Sequence, residues 1–433
     1  MKQLALITVC LACSMAAFSQ PETSLIGTWN GKIDLKTYRL SIVMNVTKDS
    51  ITFDSPDQGQ YGIKAEALWL TEDSVCAVVR DVNMMYKGRL ADGELKGTFI
   101  QRLWAVPLTM KPGHLKRNRP QTPRPPYPYQ TEEVSFANEN GRAVLAGTLS
   151  IPAEKAVADA RQKGRKHRGR RPKAVKEADI PVVLMVTGSG LQDRNEALFD
   201  HQPFAVLADF LARNGIASLR YDDRSFGAST GNAETATTKD LADDAEAGIE
   251  FLRKRFKRVG LIGHSEGGTI AFMLAARGKT DFIVSLAGTG IRGDSILYLQ
   301  TLAAIEEQGG AEKPTLEGVR LNAERLKNAW LSYFINYDPA TDIAQTKCAV
   351  LALNGEKDVQ VACRENLQAI GRNLPRLTSA TLKSYEGLNH LFQHCLTGSV
   401  NEYAEIEETM SEEVMNDIAK WINCLPRSKG RRR

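Results

Sequence analysis

From Gly27 to about Met110 the chain falls into short segments in which apolar and polar positions alternate, as along Leu40, Ile42, Met44 and Val46. Turn clusters such as SPDQGQ and ADGE separate these segments. A side-chain period of two broken by frequent turn residues predicts a small antiparallel β domain, barrel or sandwich, over residues 20–112. Trp29, Trp69 and Trp104 are expected in its core, because aromatics on strands usually pack inward. The segment concentrates no His, Cys or paired acids, so packing or binding is expected of it rather than chemistry.

Residues 113–130 lie within KPGHLKRNRPQTPRPPYPYQ, whose prolines remove backbone donors and favour an extended connector, which makes this the expected domain boundary. From residue 131 to 425 the pattern changes to buried strands alternating with amphipathic helices. Strand-like VSFAN and VLAGTLSIP come first, then a basic insertion over 155–178, then the apolar strand PVVLMVTGS. The order continues as a helix near Phe204 to Asn214, strand IASLRY, a helix near Asp240 to Arg255, strand VGLIG, a helix from Gly267 to Ala276 and strand FIVSLAG. Such alternation implies a mostly parallel sheet covered by helices on both faces. About 55 residues of helical pattern then precede the strand CAVLALNG, which predicts a helical cap over about 289–345 above the strand ends, where open α/β sheets bind ligands.

The apolar run LALITVCLACSMAAF behind Lys2 is too short to span a bilayer but fits a signal peptide over residues 1–19, with Ala17 and Ser19 as the small cleavage-site residues. Export to the periplasm or medium is therefore expected, ahead of lipid anchoring at Cys13. The net charge of +5 is local. Residues 161–173 hold eight Lys/Arg and no acid, and the basic tail 426–433 holds five more, leaving the rest net acidic. No aromatics interleave with these runs, so nucleic acid is not an expected partner, while a weak anionic-surface contact by 161–173 is the alternative to a solvated loop. Of seven cysteines, five remain beyond the leader, namely Cys76, Cys348, Cys363, Cys395 and Cys424. This odd, scattered set is no disulfide framework, though one bridge is open to it. No metal-ligand spacing occurs, and neither a metal nor an organic cofactor is expected. Oligomeric state is not legible.

GxSxG occurs twice. Gly263-His264-Ser265-Glu266-Gly267 follows the strand VGLIG and precedes the small-residue helix GTIAFMLAA, the context of a nucleophile elbow. Gly227-Ala228-Ser229-Thr230-Gly231 follows a loop and precedes the polar GNAETATT, so Asp223, Arg224 and Ser229 are expected to form a structural loop network. A serine nucleophile needs a base, and the base needs an orienting acid. Among six histidines, His390 in the loop GLNH beyond the strand-like SATLKSYE is the expected base, and His394 is read as supporting or structural. Asp358, in GEKDV just past VLALNG, is the expected acid, with Glu356 as its fallback. The oxyanion donors would be the Glu266 N–H and one from the glycine-rich turn after PVVLMV, Ser189 first and Gly190 second. Trp330, Tyr333 and Phe334, with Tyr337, have helical spacing within the cap and serve as its core, some also as pocket wall. With His201, which lies ahead of a helix, Trp330, Tyr333 and Phe334 are the candidate substrate-binding residues.

In these residues the chain resembles the α/β-hydrolase superfamily, and within it the secreted carboxylesterase-like and serine-aminopeptidase-like (S33-like) group, over roughly residues 131–425. The motifs that carry the resemblance are TGSGLQDRNE, RYDDRSFGASTG, GHSEGG, LNGEKDVQV, GLNHLFQ and EYAEIEETMSEEVMNDIAKWI. Similar proteins usually carry glycine where Ser225 stands. The N-terminal segment resembles a lipocalin-like or sandwich module that precedes such hydrolases in exported bacterial proteins. The resemblance implies an α/β-hydrolase fold preceded by a small antiparallel β domain, and a serine hydrolase of small-molecule carboxylic esters working through an acyl-enzyme. Peptidase and acyltransferase activity are the alternatives on the same triad. An exported binding protein with a degenerate hydrolase domain is the alternative of another class.

Overall fold

The computed structural model describes residues 25–35, 39–58, 60–163, 176–310 and 313–426. The expected signal peptide, half of the basic insertion and nearly all of the basic tail lie outside them. Two compact units divide between Lys116 and Arg117, inside the proline-rich segment.

The first unit is a closed barrel of eight antiparallel strands in sequential order. They are β1 (Gly27–Asp34), β2 (Arg39–Val46), β3 (Ile51–Ser55), β4 (Gln60–Leu70), β5 (Ser74–Val79), β6 (Met84–Ala91), β7 (Glu94–Gln101) and β8 (Trp104–Pro112). Pairing of Trp29 with Pro112 and of Asn30 with Lys111 closes the ring and removes the free sheet edges. Asp92-Gly93 joins β6 to β7 with both residues at positive φ (56° and 77°), the two-residue hairpin turn whose twist suits the flanking strands. Trp29, Ile33, Met44, Phe53, Tyr86, Leu95 and Met110 are buried in its core. The Tyr86 hydroxyl is shared between the carbonyls of Leu95 (3.0 Å) and Leu108 (3.2 Å).

Of the three tryptophans expected inside, only Trp29 is buried; Trp69 is 42% and Trp104 41% exposed. A register shift between Ala67 and Trp69 breaks the alternation that would have turned Trp69 inward, and Lys87 sits over its ring instead. Trp104 opens β8 directly after the β7–β8 turn and meets Phe99 edge-on.

The second unit is built on an eight-stranded sheet. Its elements are β9 (Gln130–Asn138), β10 (Ala143–Ile151), α1 (Glu154–Lys163), β11 (Pro181–Val186), α2 (Pro203–Arg213), β12 (Ala217–Tyr221), α3 (Thr238–Arg253), β13 (Arg258–His264), α4 (Glu266–Ala276) and β14 (Phe282–Leu286). The cap helices α5 (Gly293–Glu307), α6 (Leu316–Arg325), α7 (Ala329–Asn336) and α8 (Ala340–Gln345) follow, and β15 (Ala349–Gly355), α9 (Cys363–Asn373), β16 (Ala380–Tyr385) and α10 (Glu412–Cys424) complete it. Strand order is β16-β15-β14-β13-β11-β12-β10-β9. β10 runs antiparallel to both neighbours, and the strands from β12 through to β16 are parallel.

β11, β13 and β14 read as unbroken apolar runs because both their faces are covered. One face packs against α3, α4, α8 and α9 through residues such as Leu184, Leu261 and Ile270. The other packs against α2 and α10 through Val183, Leu207, Ile262 and Ile418. The cap has its own small core of Ile296, Ala323, Phe334 and Ile335, with Trp330 packed against it. The start of the basic insertion is helical rather than loop, forming α1.

The second half of the proline-rich segment is stitched onto this unit rather than left as a free connector. Arg119 donates to the carbonyls of Phe199, Ala404 and Ile406, and the Gln121 side-chain oxygen accepts from the N–H groups of Thr409 and Met410. Cys76, Cys348, Cys363, Cys395 and Cys424 are all free thiols. No helix among the described residues is long and apolar enough to cross a membrane.

Tyr86→Phe removes the donor from two carbonyls in the barrel interior. The expected cost is about 1–2 kcal/mol, read in denaturant titrations as a lower midpoint for the barrel transition with the second unit's transition unmoved.

Candidate active site

β13 delivers its last residue, His264, at the carboxyl edge of the sheet, and the chain reverses into α4 through one residue, Ser265, at φ 54° and ψ −117°. This conformation is costly for a residue with a Cβ and persists only where its surroundings impose it. The neighbouring glycines make room. A Cβ on Gly263 would stand 1.9 Å from the Gly267 carbonyl oxygen, and one on Gly267 would stand 2.1 Å from that of Val186. Ser265 N–H donates to the Leu286 carbonyl at 2.8 Å, which ties the turn to β14. Ser265 is half-buried, at the N-terminus of α4, where free backbone N–H groups favour developing negative charge.

The loops after β15 and β16 bring the expected acid and base together. His390 Nδ1 lies 2.7 Å from Asp358 Oδ2, and both residues are buried. Asp358 Oδ1 accepts from the N–H groups of Gln360 (2.8 Å) and Val361 (2.7 Å), which hold the carboxylate in place. Because a carboxylate only accepts, Nδ1 carries the proton and Nε2 is left as an acceptor, the tautomer a general base needs. Asn389 braces the base loop, accepting from the N–H groups of Leu391 and Gln393. The His390 ring stacks obliquely at 4.6 Å on that of His264, the residue preceding Ser265. Glu356, the fallback acid, is exposed and accepts from Ser384.

After β11 the glycine-rich turn passes directly over the elbow. A Cβ on Gly188 would lie 3.2 Å from that of Ser265. The Gly188 N–H is already donated to Glu196 Oε1 at 2.8 Å, which leaves the exposed Ser189 and Gly190 as the turn's candidate donors. Gly190 adopts φ 98°, a conformation glycine tolerates.

Glu266 follows Ser265. Its backbone N–H lies in the first turn of α4, while its side chain is buried and accepts the Trp330 indole N–H at 2.8 Å, with burial raising its pKa. Trp330 thereby reaches from the cap to the elbow, stacked at 5.3 Å on Phe334. Tyr333 points elsewhere, packing against the sheet-side core and stacking on Tyr337, so it shares the helix but not that contact.

His201, expected at the substrate, is fully buried. Its Nε2–H donates to the Tyr403 carbonyl at 3.0 Å and its Nδ1 pairs with Thr409 Oγ1 at 2.9 Å. Both ring nitrogens are spent inside the protein, so its role is to hold the 403–409 segment, a use that sequence position cannot distinguish from ligand binding. His394 is exposed and bound to Glu408.

Asp223, Arg224 and Ser229 form the loop network anticipated from the sequence. Arg224 pairs with Asp244 (2.7 Å), Ser229 Oγ donates to the Asp222 carbonyl, and Asp223 accepts from Thr187 and the Gln192 N–H. Burial pushes the Asp223 carboxyl up to about 8. Ser225 adopts φ 62°, which explains a preference for glycine there, and its hydroxyl donates to the Gly231 carbonyl at 2.7 Å. Sequence reasoning missed Glu196 and the inward use of His264. Their only signal was a pair of ionisable residues inside motifs chosen for other positions. Among the described residues no cluster of three or more His, Cys, Asp or Glu could hold a metal ion.

Residues 201–305 match the family model described as serine aminopeptidase, S33. Over 261 residues, 56% of this chain, the sequence is 26% identical to Esterase EstD of Thermotoga maritima, and the match spans 62% of that protein's length. Similar solved structures include the Pyrococcus furiosus esterase Pf2001 (16% identity, TM-score 0.44, 72% of this chain and 98% of that one). Another is Est1E of Butyrivibrio proteoclasticus bound to ferulic acid (15% identity, TM-score 0.41, 67% of this chain and 97% of that one).

Gly263→Ala forces a Cβ into backbone that cannot retreat, and the expected outcome is loss of at least about 3 kcal/mol or failure to fold, read by thermal unfolding and yield of folded protein. His201 supplies a pH test. Burial, aided by the Arg119 charge, lowers its pKa to about 4, against about 6.5 unfolded. The unfolded chain therefore binds the extra proton first as pH falls. The stabilisation is complete above about pH 6.5 and is lost progressively toward about pH 4, up to about 3 kcal/mol. Melting curves across that window should show the loss in the wild type and a flatter profile in His201→Gln.

Proposed function

We propose that this α/β-hydrolase is a serine carboxylic-ester hydrolase whose nucleophile is Ser265. The observation that carries the reading is the Asp358–His390 pair, 2.7 Å apart, on loops at the same sheet edge as a serine held at positive φ between strand and helix. In this reading His390 Nε2 takes the Ser265 proton as Oγ attacks the ester carbonyl, Asp358 steadies the imidazolium, and His390 returns the proton to the departing alkoxide. Water, deprotonated by the same ring, then releases the acid and regenerates the serine. The Glu266 N–H and that of Ser189, with Gly190 as the alternative, supply the oxyanion donors. Trp330 reaches from α7 to Glu266 beside Ser265 and Phe334 stacks behind it, so these two are the residues assigned to the acyl or alcohol group. Export is part of this proposal and rests on the apolar run behind Lys2; N-terminal sequencing of the extracellular or periplasmic product tests it, and a start near Gln20 is expected.

The deciding assay compares the protein with Ser265→Ala on chromogenic acyl esters of increasing chain length, with aminoacyl anilides alongside. A loss of roughly 10³-fold or more in kcat is expected in the variant. Cleavage of anilides in preference to esters would transfer the reading to a peptidase, in keeping with the name of the matching family model. Full activity in Ser265→Ala would discard the assigned nucleophile. Trp330→Phe keeps the ring stack but removes the indole donor from a buried carboxylate; KM is expected to rise several-fold, with the change growing with acyl length.

A further inference from the structure

Glu196 sits outside the triad, yet its backbone is held at φ 54°, a conformation non-glycine residues rarely keep without cause. One of its oxygens does two things. Oε1 accepts the Gly188 N–H at 2.8 Å, and it lies 2.8 Å from His264 Nδ1. The other oxygen, Oε2, is buried with no hydrogen-bond partner, so the contacts at Oε1 provide this carboxylate's hydrogen bonding. The second nitrogen of His264, Nε2, faces the backbone carbonyl of His390 at 3.0 Å.

Neither a carboxylate nor a carbonyl can donate, so two hydrogen bonds from one ring require a proton on each nitrogen. His264 is then an imidazolium, paired with Glu196 in a site from which water is excluded. Burial opposes that charge, but the Glu196 carboxylate and the His390 carbonyl outweigh it and raise the ring's pKa. Asp223, Glu266, Asp358 and His390 are the other ionisable groups around the pair. A buried ion pair is a weak source of net stability, because desolvation consumes most of the attraction, and its best-attested use is to fix one arrangement of the chain over others.

Resting on the serine-hydrolase reading above, we propose that Glu196 and His264 form a positioning dyad that locks the oxyanion turn and the base loop onto the nucleophile strand. Glu196 fixes the Gly188 peptide so that the following N–H groups face Ser265. His264 carries the other end, holding the backbone of His390 so that its ring stays on Asp358. Three loops that approach the serine from separate strands are thereby joined through two side chains, one of them adjacent to the serine itself.

Glu196→Gln tests this in the full chain. It keeps the shape and one acceptor but removes the charge, so His264 falls to its neutral form and one of its two acceptors loses its donor. A fall in kcat of roughly 10- to 100-fold, with KM within about twofold, is expected for displaced catalytic groups beside an intact pocket. Unchanged kcat in a folded variant would overturn the dyad. The ¹⁵N signals of the His264 ring in the wild-type protein give an independent reading that needs no variant. Two protonated nitrogens near neutral pH support the dyad, and a single neutral tautomer overturns it. Labelling of Ser265 by a fluorophosphonate separates the two claims. If the wild-type protein neither labels nor turns over esters, the hydrolase reading and the catalytic part of this proposal fall together, and the ring signal then decides whether the clamp exists. If it labels and Glu196→Gln is as active as wild type, only the dyad falls.

Discussion

A serine with positive φ between a strand and a helix can persist only where the surrounding chain leaves no relaxed alternative. Gly263 and Gly267 let the backbone of β13, α4 and β11 approach to distances no Cβ could tolerate, and the Leu286 carbonyl takes the Ser265 N–H from the next strand. The parallel sheet is thus a condition for the turn. Unless β11 and β14 flank β13 in register, neither the close approach nor the hydrogen bond exists. The unbroken apolar runs of these strands, buried on both faces, hold that register.

Around this turn the protein gathers buried carboxylates, and each is accommodated differently. Asp358 is surrounded by donors, two backbone N–H groups and the His390 ring. Asp223 has a hydroxyl and an N–H but no cation within its hydrogen bonds, and burial raises its pKa to about 8. Glu266 leans on a cap tryptophan, and Glu196 on a histidine. Unpaired charge is expensive away from water, so every one of these groups constrains the loop that supplies its partner. The same constraint reaches outward through Arg119 and Gln121, which satisfy backbone groups of the 404–410 segment, and through His201, which holds that segment from the other side.

The sequence was informative wherever a requirement is local. Alternation of period two, with Asp-Gly at a hairpin, encodes antiparallel strands. Apolar runs separated by amphipathic helices encode a covered parallel sheet. Ser265, Asp358 and His390 could be singled out as candidates because strand-loop context places residues at a strand's carboxyl end before any contact is known, and the packed chain brings Asp358 and His390 to 2.7 Å. That context also separated the two GxSxG matches.

What sequence could not decide was which residues face one another. Trp69 departs from the alternation because of a register shift in β4, and a shift of one residue turns a side chain to the other face without changing composition. His201 and His390 are both histidines in loops; only the packed chain shows one with both nitrogens consumed and the other with one held back. Glu196 and His264 are 68 positions apart and meet because β11 and β13 are neighbours. The chain by itself determined the elements, their order and the chemistry available at their ends. The tertiary structure decided the pairing of buried polar groups, because a buried donor or acceptor is satisfied by whatever the packing places opposite it, and that choice is made by strand order rather than by any local run of residues.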